Sequence, residues 1–220
     1  MSNIILAIDT SMNYCSVAVY KKKIYSLSDY CNKEHTIKIL PMIKKILLLA
    51  KITFKDINYV IFSKGPGNFT GIRIAIGVAQ SLSLSLNIPI LGISTLAIMA
   101  EKAWRKYHQK KILVAIAAGI DKIYLSKYIK DSRLLWIGNK TEVLIHSDDI
   151  KEETKNLDND WFFVGNGLEK FNSKNFFNYE KIKNISPNAK DLIPFSLLNI
   201  KNKNFLHFTK LEPNYLNNIF

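Results

Sequence analysis

"SKGPGNFTGIR" (residues 63–73) carries more structural information than any other part of the chain. It sets three glycines, a proline and a threonine between the apolar run at 58–63 and a helix-like run at 70–86. Many phosphate-binding loops are built as strand, glycine loop and helix, because a helix N-terminus offers free N–H groups and a positive dipole end. A tight turn from a strand into a helix uses the same residue types, so both interpretations stand at the outset.

The loop does not match the named phosphate motifs. A Walker loop counted from Gly67 requires its second glycine at Ile72, and a dinucleotide loop counted from Gly65 requires its third at Thr70. The turn is therefore favoured, with Gly65 and Gly67 providing unusual dihedrals and Thr70 capping the helix. Asp9 then closes an Asx-type turn between two strands. If the loop does bind an anion or nucleotide, the candidate residues are Asp9, Thr10, Gly65, Gly67, Thr70, Gly71 and Arg73.

The order of apolar patterns predicts an α/β protein. Three alternating runs near residues 4–10, 15–20 and 24–30 predict a strand meander, and helical spacing follows over 36–50. Strands and helices then alternate up to about residue 105, which indicates a partly parallel sheet. Three more strand patterns after residue 110 predict a second lobe. We expect a first lobe at 1–105, a smaller one at 106–204, and a tail at about 205–220 that returns to the first.

Two predicted helices lack an ordinary polar face. Helix 70–86 is apolar or small nearly all round, and helix 36–50 leaves only a narrow lysine face. Such helices are buried on more than one side, against each other or against another protein. Side by side they could present roughly 800 Å² to a partner, a standard interface size. The residues expected there are Leu40, Ile43, Leu47, Thr70, Ile74, Val78, Ala79 and Leu82.

The composition is that of an ordinary globular protein. The 220 residues are 48% hydrophobic and 22% charged, with no signal-peptide pattern and no run of roughly 18 apolar residues. Two cysteines provide no disulfide framework, and His35 has Ile39 where a helical metal pair needs its second ligand. We therefore expect a cytoplasmic protein without metal, cofactor or membrane span. The charge of +13 comes with only three arginines, which favours a solvated basic surface over base recognition.

Four stretches, taken together, resemble the TsaB family (formerly YeaZ), within the superfamily of TsaD. They are "ILAIDTSMNYCSVAVY", "EHTIKILPMIKKIL", "KGPGNFTGIRIAIGVAQSLS" and "IPILGISTLAIMA", which appear in family order over about residues 3–105. The resemblance implies a two-lobed, ribonuclease H-like fold of the actin-like ATPase (ASKHA) class. Two departures concern Ala117–Gly119, where the family often has Asp-Ala-Arg, and Asn217, where it often has Arg.

The resemblance also implies a role. TsaD, the catalyst, has an H-x-x-x-H metal motif where this chain has His35 and Ile39, so the chain is expected to be a non-catalytic subunit. TsaD would bind helices 36–50 and 70–86 and transfer threonylcarbamoyl from its adenylate to the adenosine 3′ of the anticodon. The ATPase TsaE would join this complex, and tRNA would bind to the complex rather than to this chain alone. When TsaD is absent, this chain is expected to form a homodimer.

Two other functions stay open from the residues. The first is an ATP-binding, sugar-kinase-like phosphotransferase with Asp9 and the glycine loop at its nucleotide, although no second carboxylate is placed to act as base. The second is a direct RNA binder, which the scarcity of arginine and of stacking aromatics in basic runs disfavours.

Overall fold

The computed structural model describes residues 3–167, 182–183, 185–202, 212–214 and 216. Its strands are β1 (Ile5–Asp9), β2 (Tyr14–Lys21), β3 (Lys23–Tyr30), β4 (Tyr59–Ser63), β5 (Ile90–Ile93), β6 (Lys111–Ala118), β7 (Lys122–Lys130), β8 (Trp136–Ile137), β9 (Val143–His146), β10 (Phe162–Val164) and β11 (Ile182–Lys183). Its α-helices are α1 (His35–Ala50), α2 (Phe69–Leu86), α3 (Thr95–Tyr107), α4 (Ile150–Thr154) and α5 (Ile193–Lys201). The predicted α/β class is confirmed.

The described residues divide into two compact units. The first contains residues 3–98, 187–202 and 212–214, and the second contains 99–167, 182–183, 185–186 and 216. The observed boundary at Ile98 lies before the one we expected after residue 105. Segment 187–202, which we expected in the second lobe, belongs to the first unit. Residues 205–211, 215 and 217–220 of the predicted tail lie outside the described residues, while Asn214 N donates to Lys64 O at 2.8 Å within the first unit.

The first unit is built on a sheet of order β3-β2-β1-β4-β5. The first three strands form the predicted antiparallel meander, and β1, β4 and β5 run parallel. Helices α1 and α2 pack side by side on one face, over a core that includes Ile8, Val17 and Phe62. The 3₁₀ turn Ala189–Leu192 and α5 cover the other face, against Ile5, Ala7 and Ile61.

The starts of α1 and α2 differ from expectation. Helix α1 begins at His35, one residue before the predicted span 36–50, and Pro41 lies in its second turn. The N–H that Pro41 lacks would have bonded to Ile37 O, and the side chain of Ile37 is 68% exposed, so the break lies on the solvent side of the helix. Helix α2 is capped by Asn68 rather than Thr70, with Asn68 Oδ1 accepting from Gly71 N at 2.9 Å.

The second unit has a sheet of order β11-β10-β6-β7-β8, with β9 also paired to β7. Its interior contains an ion pair that the sequence did not reveal. Lys130 donates to Glu101 Oε2 at 2.6 Å, and both side chains are 3% exposed. The Lys130 ammonium lies 3.7 Å from the ring centroid of Trp104 and 4.5 Å from that of Trp136, whose Nε1 donates to the same carboxylate oxygen. Burial lowers the pKa of Lys130, and the hydrogen bond to Glu101 opposes that shift.

Candidate functional sites

The glycine loop packs against the turn that joins β1 to β2. A Cβ atom on Gly71 would lie 1.9 Å from Thr10 O, and one on Gly67 would lie 2.3 Å from Ser11 O. Hydrogen bonds hold the two segments together, since Asn68 N donates to Ser11 O at 2.7 Å and Thr10 Oγ1 donates to Gly71 O at 2.6 Å. These two glycines therefore allow backbone to meet backbone.

Asp9 stabilises the turn between β1 and β2, against which the glycine loop packs. It is fully buried, and its Oδ1 accepts hydrogen bonds from Ser11 N at 3.1 Å and from Ser11 Oγ at 2.6 Å. Its Oδ2 lies 3.4 Å from Ser16 Oγ, which in turn accepts from Ala189 N. The carboxylate closes the turn between β1 and β2, as the Asx-type interpretation requires.

The structure brings most of the candidate anion-binding residues together, but their polar groups bond to one another. Thr70 and Arg73 lie apart from that contact, exposed on α2, where the Arg73 guanidinium carbon is 3.3 Å from the ring centroid of Phe69. The geometry favours the strand-to-helix turn, and anion binding stays a prediction. The family departure at Ala117–Gly119 falls where β6 ends and Gly119 takes a φ of +69° in the turn to β7.

His35 has a structural partner. It is 4% exposed, and its Nε2 lies 2.9 Å from Met12 O. Ile39, one turn later, is 1% exposed in the core of the first unit. Across the part of the chain that the structure describes, no three His, Cys, Asp or Glu side chains gather as metal ligands would.

Helices α1 and α2 expose large apolar side chains, of which only Leu40 belongs to the interface set expected from the sequence. The exposed fractions are 68% for Ile37, 51% for Leu40, 76% for Leu48, 63% for Phe69 and 63% for Leu84. We call these five residues the helix face. Exposed small residues lie among them on α2, and a Cβ on Gly77 would meet nothing within 4 Å. A partner helix could approach α2 closely there.

The structure places the residues of the expected interface set at different depths, and the interface itself stays a prediction. Leu40 and Thr70 are exposed, and Ile74, Val78 and Leu82 are half-buried. Ile43, Leu47 and Ala79 are wrong as contact residues, because they are 0%, 3% and 0% exposed in the core of the first unit. On α1, Ile43 and Leu47 lie on the side that packs on the sheet, whereas Leu40 and Leu48 lie towards solvent.

By length and composition, α2 could also cross a membrane, with a mean hydropathy of 1.3 over 18 residues. One side of α2 packs on the sheet of the first unit, where Ile72, Ala75 and Ala79 join its core. A helix that packs in the core of a globular protein passes the same test, so this signal is weak.

Comparison with known proteins gives concordant matches. Residues 27–193 match the family model described as TsaD, tRNA N6-adenosine threonylcarbamoyltransferase. The tRNA threonylcarbamoyladenosine biosynthesis protein TsaB of Buchnera aphidicola subsp. Schizaphis graminum is 63% identical, over 89% of this chain and 93% of that protein. TsaB of Escherichia coli strain K12 is 34% identical, over 97% of this chain and 94% of that protein.

Solved structures agree. YeaZ from Pseudomonas aeruginosa superposes with a TM-score of 0.85 at 27% identity, covering 96% of this chain and all (100%) of that one. The crystal structure of an uncharacterized protein with similarity to peptidase YEAZ, also from P. aeruginosa, reaches 0.88 at 28% identity, covering 98% and 100%. The resemblance carried by "GPGNFTGIR" and its neighbouring motifs is confirmed, and the chain belongs to the TsaB family.

Proposed function

We propose that this protein is the non-catalytic partner of TsaD in forming threonylcarbamoyladenosine in tRNA, and that it binds TsaD through the helix face. The single observation that carries the proposal is that the two core helices of the first unit expose Ile37, Leu40, Leu48, Phe69 and Leu84 to water. Large aliphatic and aromatic side chains exposed on two helices that pack side by side mark an interaction surface.

The energetics of the helix face favour a stable complex. Full burial of one such side chain is worth about 1.5–3 kcal/mol, so all five together would contribute about 7.5–15 kcal/mol. A micromolar affinity corresponds to about 8 kcal/mol after the cost of association, so most of the five side chains must be buried in the complex. Phe69 and Arg73 add a stacked aromatic and guanidinium pair; phenylalanine is enriched in interface cores, and arginine is among the residues that most often dominate interface affinity. The match of residues 27–193 to the TsaD family model supports pairing between similar folds.

The proposal of a non-catalytic role rests on two residues, Ile39 and Asp9, at the positions where a metal site or a nucleotide site would need a free ligand. Ile39 fills the position of a second metal ligand and is buried in the core. The Asp9 carboxylate, the proposed anchor of the rival phosphotransferase, is committed to Ser11 and Ser16. TsaD in this scheme transfers threonylcarbamoyl from its adenylate to the adenosine 3′ of the anticodon, and this chain holds TsaD competent.

Further parts of the scheme are proposals of the same kind. TsaE joins the complex, tRNA is bound by the complex rather than by this chain alone, and the assembly works in the cytoplasm. Without TsaD, the helix face would associate with a second copy, since an exposed apolar surface favours burial.

The test is co-expression with TsaD of the same organism, followed by size-exclusion chromatography with light scattering. Leu40→Glu and Leu48→Glu are the informative variants, because both leucines are at least half exposed (51% and 76%) and their replacement leaves the core unchanged. We expect a one-to-one complex with the parent and at least a hundredfold weaker affinity for each variant, since a carboxylate would be buried in an apolar contact. Ala79→Glu is unsuitable, because Ala79 lies in the core.

Ile120→Glu is the matched control. Ile120 is 89% exposed in the turn between β6 and β7 of the second unit, so the change adds the same charge to an aliphatic side chain that is also exposed. The control should bind TsaD like the parent. A complex that both helix variants form at parental affinity, or a folded parent that forms none, would contradict the proposal.

A further inference from the structure

The outer strand of the first sheet lacks the usual protections of a sheet edge. Strand β3 runs for eight residues, from Lys23 to Tyr30, and pairs with β2 in continuous register without a bulge. It contains no proline, and its charged residues, Lys23 and Asp29, lie near its two ends. Natural edge strands are blunted by prolines, bulges or central charges, because an open edge pairs with other strands. Among the described residues, β2 is the only strand paired with β3.

The two faces of β3 differ. Its odd-numbered residues point to the side that α1 covers, where Tyr25 and Leu27 join the core and Asp29 pairs with Lys38 of α1 at 2.8 Å. Its even-numbered residues lie on the opposite face, where Ile24 is 38% and Tyr30 is 57% exposed. An added strand would therefore extend an apolar layer on one face and cover exposed side chains on the other.

The sequence of β3 is complementary to itself. Lys23 and Asp29 are equally far from Ser26, on the same face of the strand. If two copies pair antiparallel with Ser26 opposite Ser26, each Lys23 lies opposite the Asp29 of the other copy, and each Tyr25 lies opposite a Leu27. Opposite charges directly across an antiparallel ladder are stabilising, and each pair of Tyr25 and Leu27 would bury further apolar surface. A shift of one residue places Lys23 opposite Tyr30 and removes the charge pairs.

We propose that two copies of this protein join through the edges of β3, antiparallel about Ser26, so that two five-stranded sheets become one ten-stranded sheet. The strand that pairs with this edge is the β3 of a second copy, because β3 itself contains both the lysine and the aspartate of each charge pair. The Asp29 side chain is 58% exposed despite its bond to Lys38, so a second ammonium group can reach it. This surface is separate from the helix face and goes beyond the proposed function.

Disulfide trapping tests the register directly. In the proposed dimer the two Ser26 Cα atoms lie about 4.5–5.5 Å apart, within the range that a disulfide spans. The two Ser28 Cα atoms are separated by four residues along the ladder, about 13 Å. Ser26→Cys treated with copper phenanthroline should give a covalent dimer on a non-reducing gel, and Ser28→Cys, equally exposed, should not. The native Cys15 and Cys31 are 0% and 2% exposed and do not interfere.

Charge exchange tests the pairing energetically. Lys23→Asp or Asp29→Lys alone places two like-charge pairs in the dimer, and we expect the dissociation constant from analytical ultracentrifugation to rise at least tenfold. The double variant restores both pairs in reversed order and should return to within about threefold of the parent. Lys55→Asp, an exposed charge reversal away from β3, is the control and should leave the constant unchanged.

The outcomes separate this proposal from the helix face. A parent that stays monomeric at high concentration, equal cross-linking of the two cysteine variants, or a double variant as weak as the singles overturns the β3 dimer. A dimer lost in Leu48→Glu but insensitive to charge exchange belongs to the helix face and also overturns it. Binding to TsaD is a different measurement, so failure of either proposal leaves the other standing.

Discussion

Replacing Gly71 by alanine is expected to destabilise the first unit, although alanine is the better helix former. Gly71 lies in the first turn of α2, and a Cβ atom there would sit 1.9 Å from Thr10 O, far inside the roughly 3.5–4.0 Å of an ordinary contact. The obstacle is backbone, so α2 and the turn between β1 and β2 must separate. Gly77 provides the comparison, since it lies in the same helix with nothing within 4 Å of the new atom.

The magnitude follows from three contributions. The gain in helix propensity is at most about 1 kcal/mol at either site. At Gly71 it is opposed by overpacking, about 1–3 kcal/mol, and by loss of the hydrogen bond from Thr10 Oγ1 to Gly71 O, about 1 kcal/mol. Gly71→Ala should therefore lower the free energy of unfolding by about 1–3 kcal/mol, while Gly77→Ala raises it by about 0.5–1 kcal/mol.

The assay must report on the first unit. The three tryptophans, Trp104, Trp136 and Trp161, all belong to the second unit, so their fluorescence is the wrong probe. Urea unfolding followed by far-UV circular dichroism, together with hydrogen exchange of the α2 amides, gives the needed comparison. In thermal unfolding followed by the same circular-dichroism signal, the midpoints of the two variants should differ by about 3–16 °C, since 1 kcal/mol shifts a chain of this size by about 2–4 °C.

Equal stability of the two variants would refute the reasoning. Gly71 would then not be required for close approach to Thr10, and the loop would have room that the structure assigns to backbone. The anion-binding interpretation of Gly67 and Gly71 would regain support, and phosphate titration of the parent would become the next measurement.

Two further predictions concern buried ionisable groups. Lys130→Met leaves Glu101 without its ion-pair partner, so it should lower the free energy of unfolding by about 3–5 kcal/mol, measured by urea unfolding with tryptophan fluorescence. Adding Glu101→Leu should recover more than half of that loss. A double variant as unstable as the single variant would contradict the argument. Burial, and next the neighbouring Cys31, raises the pKa of Cys15 from 9.0 to about 12. Above pH 9 the unfolded chain loses this proton while the native protein keeps it, so stability should fall by up to about 1.4 kcal/mol per pH unit from pH 9 towards 12. Cys15→Ala should lack that slope in circular-dichroism unfolding at pH 8, 9 and 10, and parallel slopes would refute the assignment.

Local patterns predicted the elements that depend on local sequence. Alternation identified the β1–β3 meander, and the end of the helix-like run at 70–86 coincides with the end of α2, where Asn87 takes the left-handed conformation. The glycines of "GPGNFTGIR" indicated a tight turn, but the partner of that turn, Thr10 and Ser11, is distant in sequence. Loop composition alone could not distinguish a contact with backbone from a contact with phosphate.

Features that depend on distant contacts could not be predicted. On α1, apolar residues occupy both the core side and the solvent side, so periodicity could not separate Ile43, which is buried, from Leu48, which is exposed. Residues 187–202 follow the second unit in sequence, and only contacts with β1, β2 and β4 assign them to the first. The pair of Lys130 and Glu101 joins a strand and a helix 29 residues apart, without any local signal.

The return of residues 187–202 to the first unit has a consequence during synthesis. One face of the first sheet, with Ile5, Ala7 and Ile61, is covered by Ala189, Leu192 and Ile193, which are made about a hundred residues after β4 and β5 are complete. At translation rates of about 5–20 residues per second, that face of the sheet stays uncovered for roughly 5–20 s. Residues 99–186, the larger part of the second unit, are synthesised during this interval. The nascent chain therefore depends longest on chaperones at its earliest strands, and a ribosome stalled before residue 187 would release an aggregation-prone sheet.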